Sequence, residues 1–131
     1  MRWNRKRVLV TGGASFIGSH LVDKLLSLGA DIKVADDFSS GKLDNLEYPL
    51  TNKGSGVLTS KNLVVHKGNL KDKTFTQLMM KNVDVVFHLA ALHGGRGYIY
   101  IHPAQCCTNM ILDQLVFEES YKAGVEKHCF A

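Results

Sequence analysis

A parallel, doubly wound α/β sheet is the fold class this sequence predicts, on three observations. Short β-rich runs alternate along the chain with segments whose apolar residues recur at helical spacing. A glycine pair, Gly12-Gly13, joins the first run directly to the first helical segment. Val83 to Leu89 is almost continuously apolar, the pattern of a parallel strand covered on both faces. Strands alternating with helices through right-handed crossovers then take the spatial order 3-2-1-4-5, counted over the expected strands.

Each element follows from its residues. Arg7-Val-Leu-Val-Thr11 is the first strand, and Phe16, Ile17, Leu21, Leu25 and Leu28 mark the first helix, which Gly29 closes. Asp31 to Ala35 is the second strand. From Asp36 to Ser60 the chain is rich in Ser, Gly, Asn and Lys and too long for an ordinary connection; the expectation is a mobile loop with one helical turn near Leu43. Leu63 to Lys67 is the third strand, after which Asp72 caps a helix with Phe75, Leu78 and Met79 on one face. The fourth strand ends at a glycine loop, His93 to Gly97. Pro103 opens a long helix, Gly124 ends it, and Lys127 to Ala131 is the fifth strand.

The 131 residues are 45% apolar and 21% charged, which suits one domain that buries roughly two-thirds of its unfolded surface and excludes disorder. The apolar stretches fall short of the roughly 20 residues that cross a bilayer, and the basic start runs straight into glycines without a signal-peptide core. The expectation is a cytoplasmic protein with no membrane partner. Much of the net charge of +4 lies in Arg2, Arg5, Lys6 and Arg7, read as a solvated tail. The other basic residues are scattered among 12 acidic ones, so no nucleic-acid partner is expected. Cys106, Cys107 and Cys129 have no metal-ligand spacing, so they are read as buried free thiols and no metal is expected.

The chemistry-bearing residues lie at the strand ends. Thr11-Gly-Gly-Ala-Ser-Phe-Ile-Gly18 sits between the first strand and the first helix, where unpaired N–H groups and about half a positive charge attract a pyrophosphate. Gly12 and Gly18 allow the tight turn and the close packing of helix on strand. About twenty residues on, Asp36 follows the second strand, placed to accept the hydroxyls of an adenosine ribose. Together these features predict dinucleotide binding.

With Val34-Ala-Asp-Asp-Phe-Ser-Ser-Gly41, Gly68-Asn-Leu-Lys-Asp72 and Val86-Phe-His-Leu-Ala-Ala91 in the same order, the chain resembles the extended short-chain dehydrogenases/reductases, the nucleotide-sugar epimerases and dehydratases. The resemblance implies a Rossmann-like domain over residues 1–131 that binds NAD, the N-terminal part of an enzyme whose C-terminal substrate domain is absent from this chain. It places Gly12, Phe16 and Ile17 along the pyrophosphate, with Ser15 and Gly18 as cofactor-binding residues of the same turn. Asp36 and Asp37 come at the adenosine ribose, with Ser39 a further cofactor-binding residue of that motif, Asn69 and Leu70 beside adenine, and Leu89, Ala90 and Ala91 under the ribose and nicotinamide. Asn109 matches an asparagine near the family's active site, and His88 reads as a core histidine bonded to backbone. Tyr98 and Tyr100 either face a sugar or anchor their loop.

Three departures from the family pattern bear on function. Ser15 stands in place of the middle glycine; were that position to need a positive φ, its Cβ would cost about 1–2 kcal/mol. As an N-cap whose hydroxyl can also donate to a phosphate, it is expected to weaken binding without abolishing it. Asn69 replaces an aspartate and keeps an acceptor oxygen for the adenine amine. The catalytic Tyr-x-x-x-Lys pair is missing: Tyr48, Tyr98, Tyr100 and Tyr121 are followed four residues later by Asn52, His102, Ala104 and Val125. No catalytic residue is therefore assigned. The reading is the cofactor-binding part of an NAD-dependent nucleotide-sugar epimerase, dehydratase or related reductase, inactive as this chain alone, with a nucleotide-sugar as the substrate of the complete enzyme. The alternative is a dinucleotide-binding module without turnover. Apolar residues on more than one face of the long helix, among them Met110, Leu112, Leu115 and Phe117, predict a homo-oligomer.

Overall fold

The computed structural model describes residues 2–92 and 94–131; His93, at the head of the expected glycine loop, lies outside them. The strands are β1 (Arg7–Thr11), β2 (Asp31–Asp36), β3 (Thr51–Gly54), β4 (Val57–Ser60), β5 (Leu63–Lys67), β6 (Val85–His88) and β7 (Lys127–Phe130). They form one sheet in the order β3-β4-β5-β2-β1-β6-β7. Five of them, β5-β2-β1-β6-β7, run parallel in the expected order, with Val10 of β1 set between Val34 of β2 and Phe87 of β6.

The helices are α1 (Phe16–Ser27), α2 (Lys73–Met80), α3 (Arg96–Ile101) and α4 (Pro103–Lys122). On one face, Val22 and Leu25 of α1 pack on Val8, Val10, Ile32, Val34 and Val65. On the other, Met79 and Met80 of α2 and Val116 of α4 pack on Leu9, Ala35 and Val86. Each such aliphatic side chain, fully buried, contributes about 1.5–3 kcal/mol, so the central strands are held from both sides.

The structure departs from sequence expectation where local pattern competes with packing. Within the segment expected to be a mobile loop, a 3-10 turn at Leu43–Asn45 is present, but Thr51–Ser60 folds into the β3–β4 hairpin, whose second strand pairs antiparallel with β5. The turn residues Gly54-Ser-Gly56 are those that let a hairpin reverse, and Leu58 opposite Val65 gives it an apolar anchor. Phe16 and Ile17 point out of α1 at 76% and 70% exposure, and Leu78 turns away from the face of α2 that Thr76, Met79 and Met80 bury.

A short helix, α3, occupies part of the glycine-rich connection before α4. The basic start is docked as well: Trp3 packs on the core beside Phe87, Lys6 pairs with Glu126 at 2.7 Å, and Arg7 holds Asp84 by two guanidinium contacts and its own N–H. The three cysteines are free, but Cys107 and Cys129 are exposed and Cys106 is half-buried, because they fall outside the inward face of α4 and on the outermost strand. No helix among the described residues is long and apolar enough to cross a membrane.

Candidate functional site

The parallel strands end together on one side of the sheet, and the loops that leave β1, β2, β5 and β6 surround a single cleft. It lies where the chain path reverses: β2 and β5 are on one side of β1, β6 and β7 on the other. Open α/β sheets leave a crevice at this point because successive connections depart to opposite sides.

The first wall is the turn from β1 into α1. Gly12 adopts φ +67°, and a Cβ there would come within 3.0 Å of the Ala90 backbone. At Gly18 a Cβ would stand 2.2 Å from the Gly12 carbonyl oxygen, so only glycine lets the helix seat on the turn. Between them, Ser15 has φ −74°, an extended conformation open to any residue, so the strain that a glycine position would have implied is absent. Its hydroxyl donates to the Gly12 carbonyl at 2.7 Å and accepts the Gly18 N–H at 3.1 Å. The Ser15 proton is thus committed within the turn, while the N–H groups of Phe16 and Ile17 meet no protein acceptor among the described residues. These are the free donors that a helix N-terminus offers to an anion.

The second wall is the end of β2. One carboxylate oxygen of Asp36 accepts the Ala14 N–H and the other the Phe38 N–H, each at 2.9 Å, which locks the side chain across the β1 and β2 loops. Each oxygen retains a lone pair for a further donor. Asp37 and Ser39 follow in the same wall, tied together by the Ser39 hydroxyl and N–H on one Asp37 oxygen.

Asn69 and Leu70 come from the loop after β5, and Asn69 Oδ1 accepts the Lys71 N–H at 2.9 Å. The floor is Leu89, Ala90 and Ala91, with Asn109 reaching in from α4. Both ends of the Asn109 amide bond one residue: Oδ1 accepts the Leu92 N–H at 2.7 Å and Nδ2 donates to the Leu92 carbonyl at 2.8 Å. It shapes the cleft by holding the chain beside it.

Of the residues predicted from sequence, Gly12, Ser15, Asp36, Asp37, Ser39, Asn69, Leu70, Leu89, Ala90, Ala91 and Asn109 therefore share one cleft. Phe16, Ile17 and Gly18 lie in the first turn of α1, outside that lining. Sequence reasoning missed the polar residues Ser40, Lys71 and Thr108, and also Ala35, Gly68, Leu92 and Leu112. Lys71 stood inside a recognised motif, and Thr108 and Leu112 flank Asn109 on its helix face, so both signals were present.

The tyrosines sit elsewhere. Tyr48 bonds Asp23 at 2.7 Å, and burial together with that carboxylate pushes its hydroxyl pKa up to about 12. Tyr98 stacks on His102 with ring centroids 4.3 Å apart, which favours the loop-anchoring reading, and Tyr100 is 88% exposed. His88 is buried as expected, but its partners are side chains, Thr11 and Asp113, because a β6 residue pairs its backbone with β1 and β7 and turns its ring into the layer beneath α4.

Fold and cleft define a Rossmann-like α/β domain with its crevice at the topological switch point. Residues 8–131 match the NAD dependent epimerase/dehydratase family, and the chain belongs to that family. It is 33% identical over 97 residues to UDP-glucuronic acid decarboxylase 1 of Danio rerio, covering 74% of this chain and 20% of that protein. Among solved structures, UDP-glucose 4-epimerase of Thermotoga maritima, determined with UDP-glucose, is similar at a TM-score of 0.77 and 33% identity, over 95% of this chain and 37% of that one. UDP-glucose 4-epimerase of Thermus thermophilus, in complex with NAD, has a TM-score of 0.73 and 29% identity, over 93% and 36%. The chain spans between about a fifth and a little over a third of the length of these proteins.

Proposed function

We propose that residues 1–131 form the NAD-binding part of an enzyme that acts on a nucleotide-sugar by transient hydride transfer. The observation that carries the reading is the meeting of Gly12 and Ser15, at the start of α1, with the Asp36 carboxylate in one switch-point cleft, where Asp36 also holds the Ala14 N–H of the same turn. The free N–H groups of the α1 turn suit a pyrophosphate, the open lone pairs of Asp36 suit ribose hydroxyls, and Asn69 and Leu70 suit adenine. Leu89 to Ala91 would hold the nicotinamide, which when bound would supply a reversible hydride acceptor. Family membership supports the same reading, as does the resemblance to epimerases determined with NAD and with a UDP-sugar.

The residues here bind and orient; none supplies a tyrosine–lysine acid–base pair. No tyrosine lines the cleft among the described residues, and none is followed by a lysine four positions on. A positioned acid–base group contributes typically about 10²–10⁴-fold, so this chain alone is proposed to bind the cofactor without converting a sugar. The exposed apolar residues of α4 support self-association.

Titrating the protein calorimetrically with NAD and with NADP tests the cofactor. NAD binds more tightly, because the Asp36 carboxylate repels a 2′-phosphate at contact distance. Asp36→Ala weakens NAD by about tenfold or more and narrows the gap between the two dinucleotides, since the buried Ala14 N–H, the half-buried Phe38 N–H and the ribose all lose the carboxylate. Tighter binding of NADP to the unaltered protein overturns the assignment. Incubation with NAD and UDP-, GDP- and dTDP-sugars gives no product beyond that of Gly12→Val; protein-dependent product overturns the proposed inactivity.

A further inference from the structure

The floor of the cleft is held from behind by a chain of side chains that no binding role uses. Thr11 is wholly buried, and its hydroxyl oxygen accepts the N–H groups of both Leu89 and Ala90 at 3.1 Å. With both lone pairs occupied, its only remaining capacity is its proton. That proton points at His88 Nδ1, 2.7 Å away. Nδ1 is therefore an acceptor, the ring proton is on Nε2, and Nε2 donates to Asp113 Oδ1 at 3.1 Å. Hydrogen-bond balance alone assigns a neutral, Nε2-protonated histidine. Asp113 lies four residues after Asn109 on α4, and Asn109 grips Leu92, so one face of one helix steadies Leu89 to Leu92 at both ends.

We infer that His88 and Asp113 are positioning residues that keep the Leu89–Ala90 floor in its binding conformation only while His88 is neutral. A second proton on the ring turns Nδ1 from an acceptor into a donor. Nδ1–H, two backbone N–H groups and the hydroxyl's own proton then crowd one oxygen. The Leu89 N–H can retreat to the Thr11 carbonyl, already 3.3 Å away, but the hydroxyl proton is left buried without an acceptor. The floor shifts to relieve it.

The titratable groups facing His88 are Asp113 from α4 and His128 from β7, whose ring stands edge-on with centroids 6.1 Å apart; Phe130 and Thr11 complete the surroundings. Burial holds the His88 pKa below its ordinary value against the opposing pull of Asp113, so the neutral form is the resting one at neutral pH. A histidine whose folded pKa is lowered contributes stability that is present above the unfolded value and is lost as pH falls through the folded one.

The inference rests on the proposed NAD site, and two readouts on the full chain separate them. Nitrogen-15 histidine spectra should show His88 protonated on Nε2 at neutral pH, and the amide signals of Leu89 and Ala90 should titrate with its midpoint, below the usual histidine range, with or without NAD. The NAD dissociation constant should rise about threefold or more as pH falls through the same midpoint. Asp113→Asn keeps an acceptor for Nε2–H and removes the charge, so every midpoint moves to lower pH together. His88→Asn places Oδ1 where Nδ1 was and cannot titrate, so the pH dependence disappears; His128→Gln leaves it. A proton on Nδ1, amides that ignore His88, or a pH profile that Asp113→Asn leaves in place overturns the inference while NAD binding stands. Titration as described with no NAD binding at any pH leaves the relay intact and overturns the cofactor site.

Discussion

The β1–α1–β2 end of the molecule and the β6–α3–α4–β7 end are built from the same alternation, yet they are finished differently. At the first end the side chains of Ser15 and Asp36 are tied to backbone: Ser15 bonds Gly12 and Gly18, and Asp36 bonds Ala14 and Phe38. At the second, α4 fully buries only Val116, Glu119 and Ser120 along twenty residues and turns Met110, Ile111 and Tyr121 outward. Phe130 of the edge strand β7 is 56% exposed, and Tyr100 and Ile101 of α3 stand out at 88% and 71%. The turn after β1 is self-supporting, whereas the far end presents apolar surface of the kind that partners cover.

The contrast is broken most forcefully by adding a side chain to each end. Gly18→Val drives a Cβ toward the Gly12 carbonyl and the Gly13 Cα, backbone that cannot give way. It should lower stability by about 3 kcal/mol and the melting temperature by about 10 °C, with loss of NAD binding. At Gly97, in α3, a Cβ meets nothing within 4 Å. Gly97→Ala should leave stability unchanged or raise it by up to about 1 kcal/mol. Thermal unfolding followed by circular dichroism reads both, and equal losses at the two positions would erase the distinction.

A second test replaces exposed apolar residues at the far end. Met110→Glu with Tyr121→Lys should change folding stability by no more than about 0.5 kcal/mol, since neither side chain is buried. The same pair should reduce the mass of the particle in sedimentation from oligomer to monomer. A concentration-independent monomer before substitution would show that the apolar face of α4 does not drive association.

The same contrast governs what was legible in the sequence. The parallel order, the Ser15 and Asp72 caps and most of the cleft lining were readable, because glycines, cap residues and carboxylates at strand ends act through local backbone geometry. Side-chain facing was less so. Phe16, Ile17 and Leu78 fit a helical apolar stripe, but which arc of a helix touches the sheet is decided by packing that periodicity does not contain. The β3–β4 hairpin was hidden for a related reason: Thr51-Asn-Lys-Gly54 is polar and fully exposed, a strand held by its neighbour's hydrogen bonds. The partners of His88 were invisible because Thr11, His88 and Asp113 are far apart along the chain and meet only after three elements have packed.

The smallest expected effect on cofactor affinity sharpens the comparison at its most finished point. Ser15 occupies the position where the family pattern has glycine, and two accounts of it differ in what they require of the hydroxyl. If it served a phosphate, its proton would have to be free; in the turn that proton is given to Gly12, and the oxygen takes the Gly18 N–H. Its contribution is then that of an N-cap. Ser15→Ala should lower stability by about 1 kcal/mol and Ser15→Gly by only a few tenths, since an N-cap glycine leaves the first N–H groups to water. NAD affinity should stay within about threefold for both, because φ −74° strains no side chain and the cofactor loses no donor. A rise of about tenfold or more with Ser15→Gly would mean that the Cβ crowds the pyrophosphate. A fall of that size with both variants would mean that the hydroxyl leaves Gly12 to hold the ligand. Parallel calorimetric titrations of the three proteins distinguish these outcomes.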